Sequence, residues 1–227
     1  MLIIPHILQV SALDVLRNIK NSNKEIEFKI KILTPRIYAA KYEKTHESFG
    51  ADLQKITSEV ESQLNSSVKF KNNGLTTKFH LEHSQNHPVI DQLDESLCEG
   101  SMLSITNLLN DINNVDAASH YVVMLPCSPT NYSDIFNSIH IDVPLIQQHI
   151  NTECSNRIAI FQETKYTHLM ASFGNALIKA IGGPVNNYTK LDVTHRGDEG
   201  LKVTMTISDD TVHHILNSKC IYNILTS

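Results

Sequence analysis

Cysteine is scarce in this sequence and unpatterned. There are four in 227 residues, at positions 98, 127, 154 and 220, with no C-x-x-C pair and no framework spacing. That excludes a zinc ribbon and a small disulfide scaffold, and in a chain of this size it predicts reduced thiols and a cytoplasmic setting. The motifs G-x-G-x-x-G and G-x-x-x-x-G-K-[ST] are both missing, which disfavours dinucleotide-dependent redox chemistry and nucleoside triphosphate hydrolysis. No G-x-S-x-G elbow occurs, so a serine hydrolase of that type is not indicated. No apolar run approaches the roughly 20 residues of a membrane span. Met1 to Val10 lacks a basic leader and a small-residue cleavage site, so it reads as a first strand rather than a signal peptide. Basic clusters are also absent. The formal charge is −5, and Lys69, Lys71 and Lys78 are spread among polar residues, so nucleic acid is a poor partner. Repeats, low-complexity tracts and long linkers do not occur.

What is present is an ordinary globular composition, with 41% hydrophobic and 19% charged residues. The length suits one α/β domain over residues 1–227, with a sub-lobe at 185–227. Glu25 to Ile32 alternates apolar and charged residues, which predicts a strand with one wet face near a sheet edge. Leu53, Ile56, Val60 and Leu64 form a helical stripe. Val68 to Leu81 reads as a hairpin folded at Asn72-Asn73-Gly74. Pro88 opens a helix carrying Ile90, Leu93 and Leu97. A second helix, from about Ser101 to Ile112, turns Ile105, Leu108, Leu109 and Ile112 inward.

Tyr121 to Leu125 is a short apolar run closed by Pro126, the pattern of a buried strand opening into a loop. Asp134 to Ile141 reads as a short helix, and Val143 to Ile146 and Arg157 to Phe161 as strands. Tyr166 to Ile181 carries Leu169, Phe173, Leu177 and Ile181 in helical register and stops at Gly182-Gly183-Pro184. Leu191 to Ile207 predicts a second hairpin around Asp198-Glu199-Gly200. Ser208 caps a last helix to about Asn217, and Cys220 to Leu225 reads as a final strand. Strands alternating with helices give an α/β fold, with helices layered around a mixed, mostly parallel sheet and a C-terminal α+β portion that holds the second hairpin.

Ligands of open α/β sheets sit beyond the carboxyl ends of strands. That singles out the loop after Leu125. Cys127 can serve as nucleophile or acid–base group if its thiol is activated. Ser128, Thr130 and Asn131 can hold a small carboxylate or phosphate. The competing reading is an inert cysteine at the edge of the core. His80, His83 and His87 fall at helical spacing, which would suit zinc. The residues before them alternate like a strand, however, which would put His80 and His83 on opposite faces, so no metal is assigned. His213 and His214 are adjacent and do not share a helix face. Asn-x-Ser/Thr triplets begin at Asn65, Asn131 and Asn187, and are read as chance in the absence of a leader.

The segment Tyr121 to Ile146 resembles the aspartate/glutamate racemase superfamily, whose members carry an apolar strand, a cysteine loop, a helix and a short Ile-Pro-Leu-Ile-like strand. Here these are Val122-Val123-Met124-Leu125-Pro126-Cys127-Ser128, residues 134–141 and Val143-Pro144-Leu145-Ile146. Arg157 to Phe161 followed by Thr164 is similar to the next strand and its polar loop. The resemblance implies a cofactor-independent racemase or isomerase in which Cys127 is one of two acid–base thiols, with Ser128, Thr130, Asn131 and Thr164 binding an amino-acid-like carboxylate. The Asn-Thr pair is replaced by Ser128-Pro129, and the second cysteine motif has no counterpart, so no second catalytic residue is carried over. The expectation is a cytoplasmic protein that binds a small-molecule ligand, not nucleic acid or membrane, with a homodimer admitted. Its alternative is a non-catalytic binding or protein-interaction module on the same fold.

Overall fold

The computed structural model describes residues 24–35, 38–44, 48–84, 87–93, 102–115, 119–126, 145–147, 157–161, 166–183, 189–195 and 201–221. The expected first strand at Met1 to Val10 and the helix at 134–141 lie outside them. In chain order the elements are β1 (Lys24–Leu33), α1 (Tyr38–Tyr42), α2 (Phe49–Ser66), α3 (Val68–Asn72) and β2 (Leu75–His83). A 3-10 turn (Pro88–Gln92), α4 (Met102–Val115), β3 (His120–Leu125), β4 (Leu145–Gln147) and β5 (Arg157–Phe161) follow. The chain continues with α5 (Tyr166–Ala180), β6 (Thr189–His195), β7 (Leu201–Ile207) and α6 (Asp209–Asn217).

Five strands form one sheet in the order β2-β1-β3-β5-β4. β1 runs parallel to both β2 and β3, β3 runs parallel to β5, and β4 alone is antiparallel. The fold is therefore α/β with a mixed, mostly parallel sheet, as the alternation of strands and helices predicts. β3 lies at the centre, and Tyr121 to Leu125 are all buried. An all-apolar run of this kind is the mark of a strand covered on both faces.

Two cores flank the sheet. On one face Ile26, Phe28, Ile30, Val122, Met124 and Ile158 pack with the stripe of α2 and with Leu169, Phe173 and Leu177 of α5. On the other face Val123, Leu125, Ala159 and Phe161 meet Ile105, Leu108, Leu109 and Ile112 of α4 and Val89 and Ile90 of the 3-10 turn. The second hairpin is present as β6 and β7, paired antiparallel with Val193 opposite Val203. Its Met205 is fully buried. Met205 reaches α5 at Gly174, where an added Cβ would sit 3.0 Å from the Met205 sulfur.

Two expectations are corrected. Val68 to Leu81 is not a hairpin: it is a short helix, a turn and a strand, and that strand runs parallel to β1. The Val-Lys-Phe-Lys alternation imitates a strand, but Ser67 caps the helix by accepting from Phe70 N at 3.2 Å. Phe70 is buried, while Val68 is 69% exposed. Gly74 then turns the chain at φ 62. Secondly, residues 219–221 are helical, not the start of a strand. Residues 222–227 lie outside the described residues. β1 lies second from the sheet edge, near it as its alternation predicts. Among the described residues no helix covers β1 and β2 on the wet side, where Glu25, Glu27, Lys29, Thr76 and Lys78 are exposed.

Candidate functional site

Of the sites expected from the sequence, Cys127, Ser128, Thr130, Asn131 and Thr164 all lie outside the described residues. β3 ends at Leu125, as the Pro126 break predicts. The three histidines do not converge. His80 and His83 stand three positions apart on β2, and side chains alternate along a strand, so they face opposite sides of the sheet. His80 Nε2 lies 3.5 Å from Glu27 Oε2, the His83 ring meets Phe49 edge-on, and buried His87 caps the 3-10 turn by accepting from Val89 N at 3.3 Å. Among the described residues no three His, Cys, Asp or Glu side chains gather as metal ligands.

The described groups cluster in three places. The first is on the carboxyl side of the sheet, built from α1, the start of α2 and the start of α5. Tyr42 donates from its hydroxyl to Asp52 Oδ2 at 2.8 Å. Tyr38, Tyr42 and Phe49 stack edge-to-face with centroids 5.0 to 6.1 Å apart. Lys55 Nζ lies 5.2 Å from the Tyr166 ring, and the Tyr166 hydroxyl is buried with no hydrogen-bond partner among the described residues. Burial, and then the Asp52 carboxylate, push the phenols of Tyr42 and Tyr166 up. Both remain protonated, and Tyr42 acts as a neutral hydrogen-bond donor to Asp52. None of these tyrosines is among the site residues expected from the sequence. The i, i+4 spacing of Tyr38 and Tyr42 after the strand stop at Thr34-Pro35 was the available signal.

The second cluster lies at the opposite ends of β3 and β5. Arg157 is fully buried. It donates to the Ser119 carbonyl, and its guanidinium sits 4.9 Å from the Tyr121 ring centre. Lys31 Nζ lies 5.5 Å from the same ring, and His87 meets it edge-on at 5.4 Å. Cations stacked on an aromatic face tie adjacent strands together. Burial, and secondarily the Arg157 charge, lower the His120 pKa to about 4. This cluster is at the amino ends of the central strands, away from the side where α/β sheets place ligands, and it serves as cement.

The third feature is a staple at the end of α5. Gly182 at φ 94 ends the helix, with Gly183 N bonded to Ile178 O and Gly182 N to Lys179 O, the paired bonds of a Schellman stop. Lys179 adds a bond from Nζ to Gly183 O at 3.1 Å, and burial lowers its pKa. Residues 218–221 cross this helix end, where Ser218 Oγ donates to Ile181 O at 3.3 Å. Cys220, 4% exposed, is disulfide-bonded. The expectation of reduced thiols is thereby corrected. It rested on the absence of short cysteine spacings, and this bond joins positions that no such spacing reveals. Its other half lies outside the described residues.

A family model described as "Spore wall protein" (MICSWaP) matches residues 27–221, from β1 through the staple. A spore wall protein of Encephalitozoon cuniculi (strain GB-M1) is 25% identical over 125 residues, 55% of this chain and 57% of that protein. The chain thus spans little more than half the length of that curated relative. These matches overturn the racemase resemblance, which rests on residues 121–164 alone, and with it the racemase or isomerase activity assigned to Cys127. They overturn the cytoplasmic expectation as well, which the disulfide at Cys220 also opposes. With the family model matching residues 27–221, well over half of its length, the chain belongs to the spore wall protein family.

Proposed function

We propose that this protein is a non-catalytic structural component of the spore wall, acting through contacts with other wall components. The observation that carries this reading is the family match over residues 27–221. The disulfide at Cys220 supports it, since such bonds persist outside reducing compartments. So does the chemistry of the described clusters, in which neutral phenols and a buried guanidinium hold elements together. Fold alone is neutral on function, so location is the deciding measurement. Immunogold labelling of sectioned spores with an antibody raised against the folded chain should place the protein in the wall. Label confined to the spore cytoplasm would refute the proposal.

A further inference from the structure

β2 is the edge strand of the sheet, nine residues long. An edge of that length exposes a row of backbone donors and acceptors that can template pairing with another chain. Here the row is occupied by side chains of α2. Asn65 uses its whole carboxamide: Thr77 N donates to Oδ1 at 2.7 Å and Nδ2 donates to Thr77 O at 3.0 Å. One turn earlier on the helix, Glu61 Oε1 accepts from Phe79 N at 2.6 Å. Asn65 reproduces the donor and acceptor of a neighbouring strand, and Glu61 extends that imitation strand by one acceptor.

These bonds also show which residues point outward. The amides of Thr77 and Phe79 face away from β1, so the odd-numbered residues of β2 would form the hydrogen-bonded pairs with an added strand. The even-numbered side chains would then meet in the closer, non-hydrogen-bonded pairs, about 4.5 Å apart between Cα atoms. Thr76, Lys78 and Glu82 are exposed, with His80 half-buried between them. In the two-fold antiparallel register that sets His80 opposite itself, Lys78 stands opposite Glu82 of the second copy, and Glu82 opposite its Lys78. Phe79 pairs with the second copy's Leu81 through outward amides. Opposite charges directly across an antiparallel pair are stabilising, and an isologous contact makes this pair twice.

We propose that the β2 edge is a strand-addition surface for a second copy of this chain, and that Asn65 and Glu61 hold it shut until it is used. The inference stands on the sheet edge alone and not on where the protein resides, so the labelling experiment above and the one below fail independently. Sedimentation equilibrium of the Asn65→Ala/Glu61→Ala chain, against the unsubstituted chain, reads it directly. With the plugs removed, the concentration needed for dimer should fall by at least roughly tenfold, since the backbone groups they occupy become available to the partner. Adding Lys78→Glu should return that variant to monomer, and adding Glu82→Lys as well should restore the dimer. A folded, plug-free chain that stays monomeric overturns the proposal, as does a dimer indifferent to the charges at 78 and 82. Should the double variant fail to fold, Glu61→Ala alone leaves the Asn65 bonds in place. It should show the same charge-swap behaviour at higher concentration, and its remaining monomeric to the solubility limit overturns the proposal equally.

Discussion

Acid should weaken this fold through one histidine. His120 begins β3, its ring edge-on to Phe28 at 6.0 Å, and its pKa is lowered from 6.5 to about 4 by burial and by the Arg157 charge. Above pH 6.5 the imidazole is neutral in both folded and unfolded chains and contributes no pH dependence. As pH falls below 6.5 the unfolded chain takes up a proton that the folded chain refuses, so stability drops. The drop ends near pH 4, where the folded chain protonates too. The gap between 6.5 and about 4, at ~1.4 kcal/mol per pH unit, amounts to ~3 kcal/mol, a large share of a typical domain's stability. His120→Phe keeps an aromatic ring beside Phe28 and removes the titration. Urea unfolding at pH 7, 6, 5 and 4.5 should give the unsubstituted chain a steeper loss than the variant. The two curves should diverge only below pH 6.5 and by ~2–3 kcal/mol at the acid end. Burial lowers the His83 pKa as well, but that residue is common to both proteins and cancels in the difference. Curves that stay parallel to within ~0.5 kcal/mol would refute the burial argument for His120.

Two further outcomes concern the staple, one the start of α2 and one the sheet edge. Gly182→Ala forces a side chain into φ 94 and sets its Cβ 2.3 Å from the Ser218 Cβ, so it should cost ~3 kcal/mol or more. Gly50→Ala, with nothing within 4 Å of its added Cβ, should be neutral or slightly stabilising in the same urea titration. Reducing the Cys220 bond should lower stability by ~2–4 kcal/mol, and a peptide map run without reductant should find Cys220 joined to another cysteine. Asn65 opens one of the Asn-x-Ser/Thr triplets, yet both polar atoms of its carboxamide are bonded to Thr77. Mass spectrometry of the native protein should find Asn65 without a glycan.

Much of the fold was legible because helix and strand periods are strong in its longest elements. The stripe Leu53, Ile56, Val60 and Leu64 is fully buried, as are Leu169, Phe173, Leu177 and Ile181. Ser208 caps α6 by accepting from Thr211 N at 3.1 Å, as its place before Asp209 suggests. The failures are those of short range. Residues 68–72 alternate over too few positions for period to decide, and a capping serine and one buried phenylalanine decided instead. The parallel pairing of β1 with β2 depends on the α2 crossover between them, which no local pattern in either strand encodes. The Tyr42–Asp52–Tyr166 cluster draws on three elements, and the Cys220 bond joins distant positions, so neither leaves a spacing to read. The racemase resemblance arose from the strand-loop-strand pattern that any buried α/β strand with a proline stop produces.

The two halves of the sheet ask for different partners. β3 and β5 are buried on both faces, residue after residue, and Arg157 and Tyr121 lock their amino ends together. That half is finished: another molecule could reach it only by displacing a core. β1 and β2 alternate instead, with buried Ile26, Phe28 and Ile30 toward α2 and charged Glu25, Glu27 and Lys29 toward solvent. Among the described residues this half of the sheet is open on one face, which is unusual for parallel strands, and that face adjoins the β2 edge. An edge meant only to be kept inert can be shortened, bent by a bulge or interrupted by proline. β2 is none of these; it is nine residues long and paired in unbroken register with β1. Its outward backbone is satisfied by two side chains that can rotate away, a closure that leaves the strand itself intact. For a protein of the spore wall protein family, that reversible closure reconciles an independently stable chain with one that can join its neighbours.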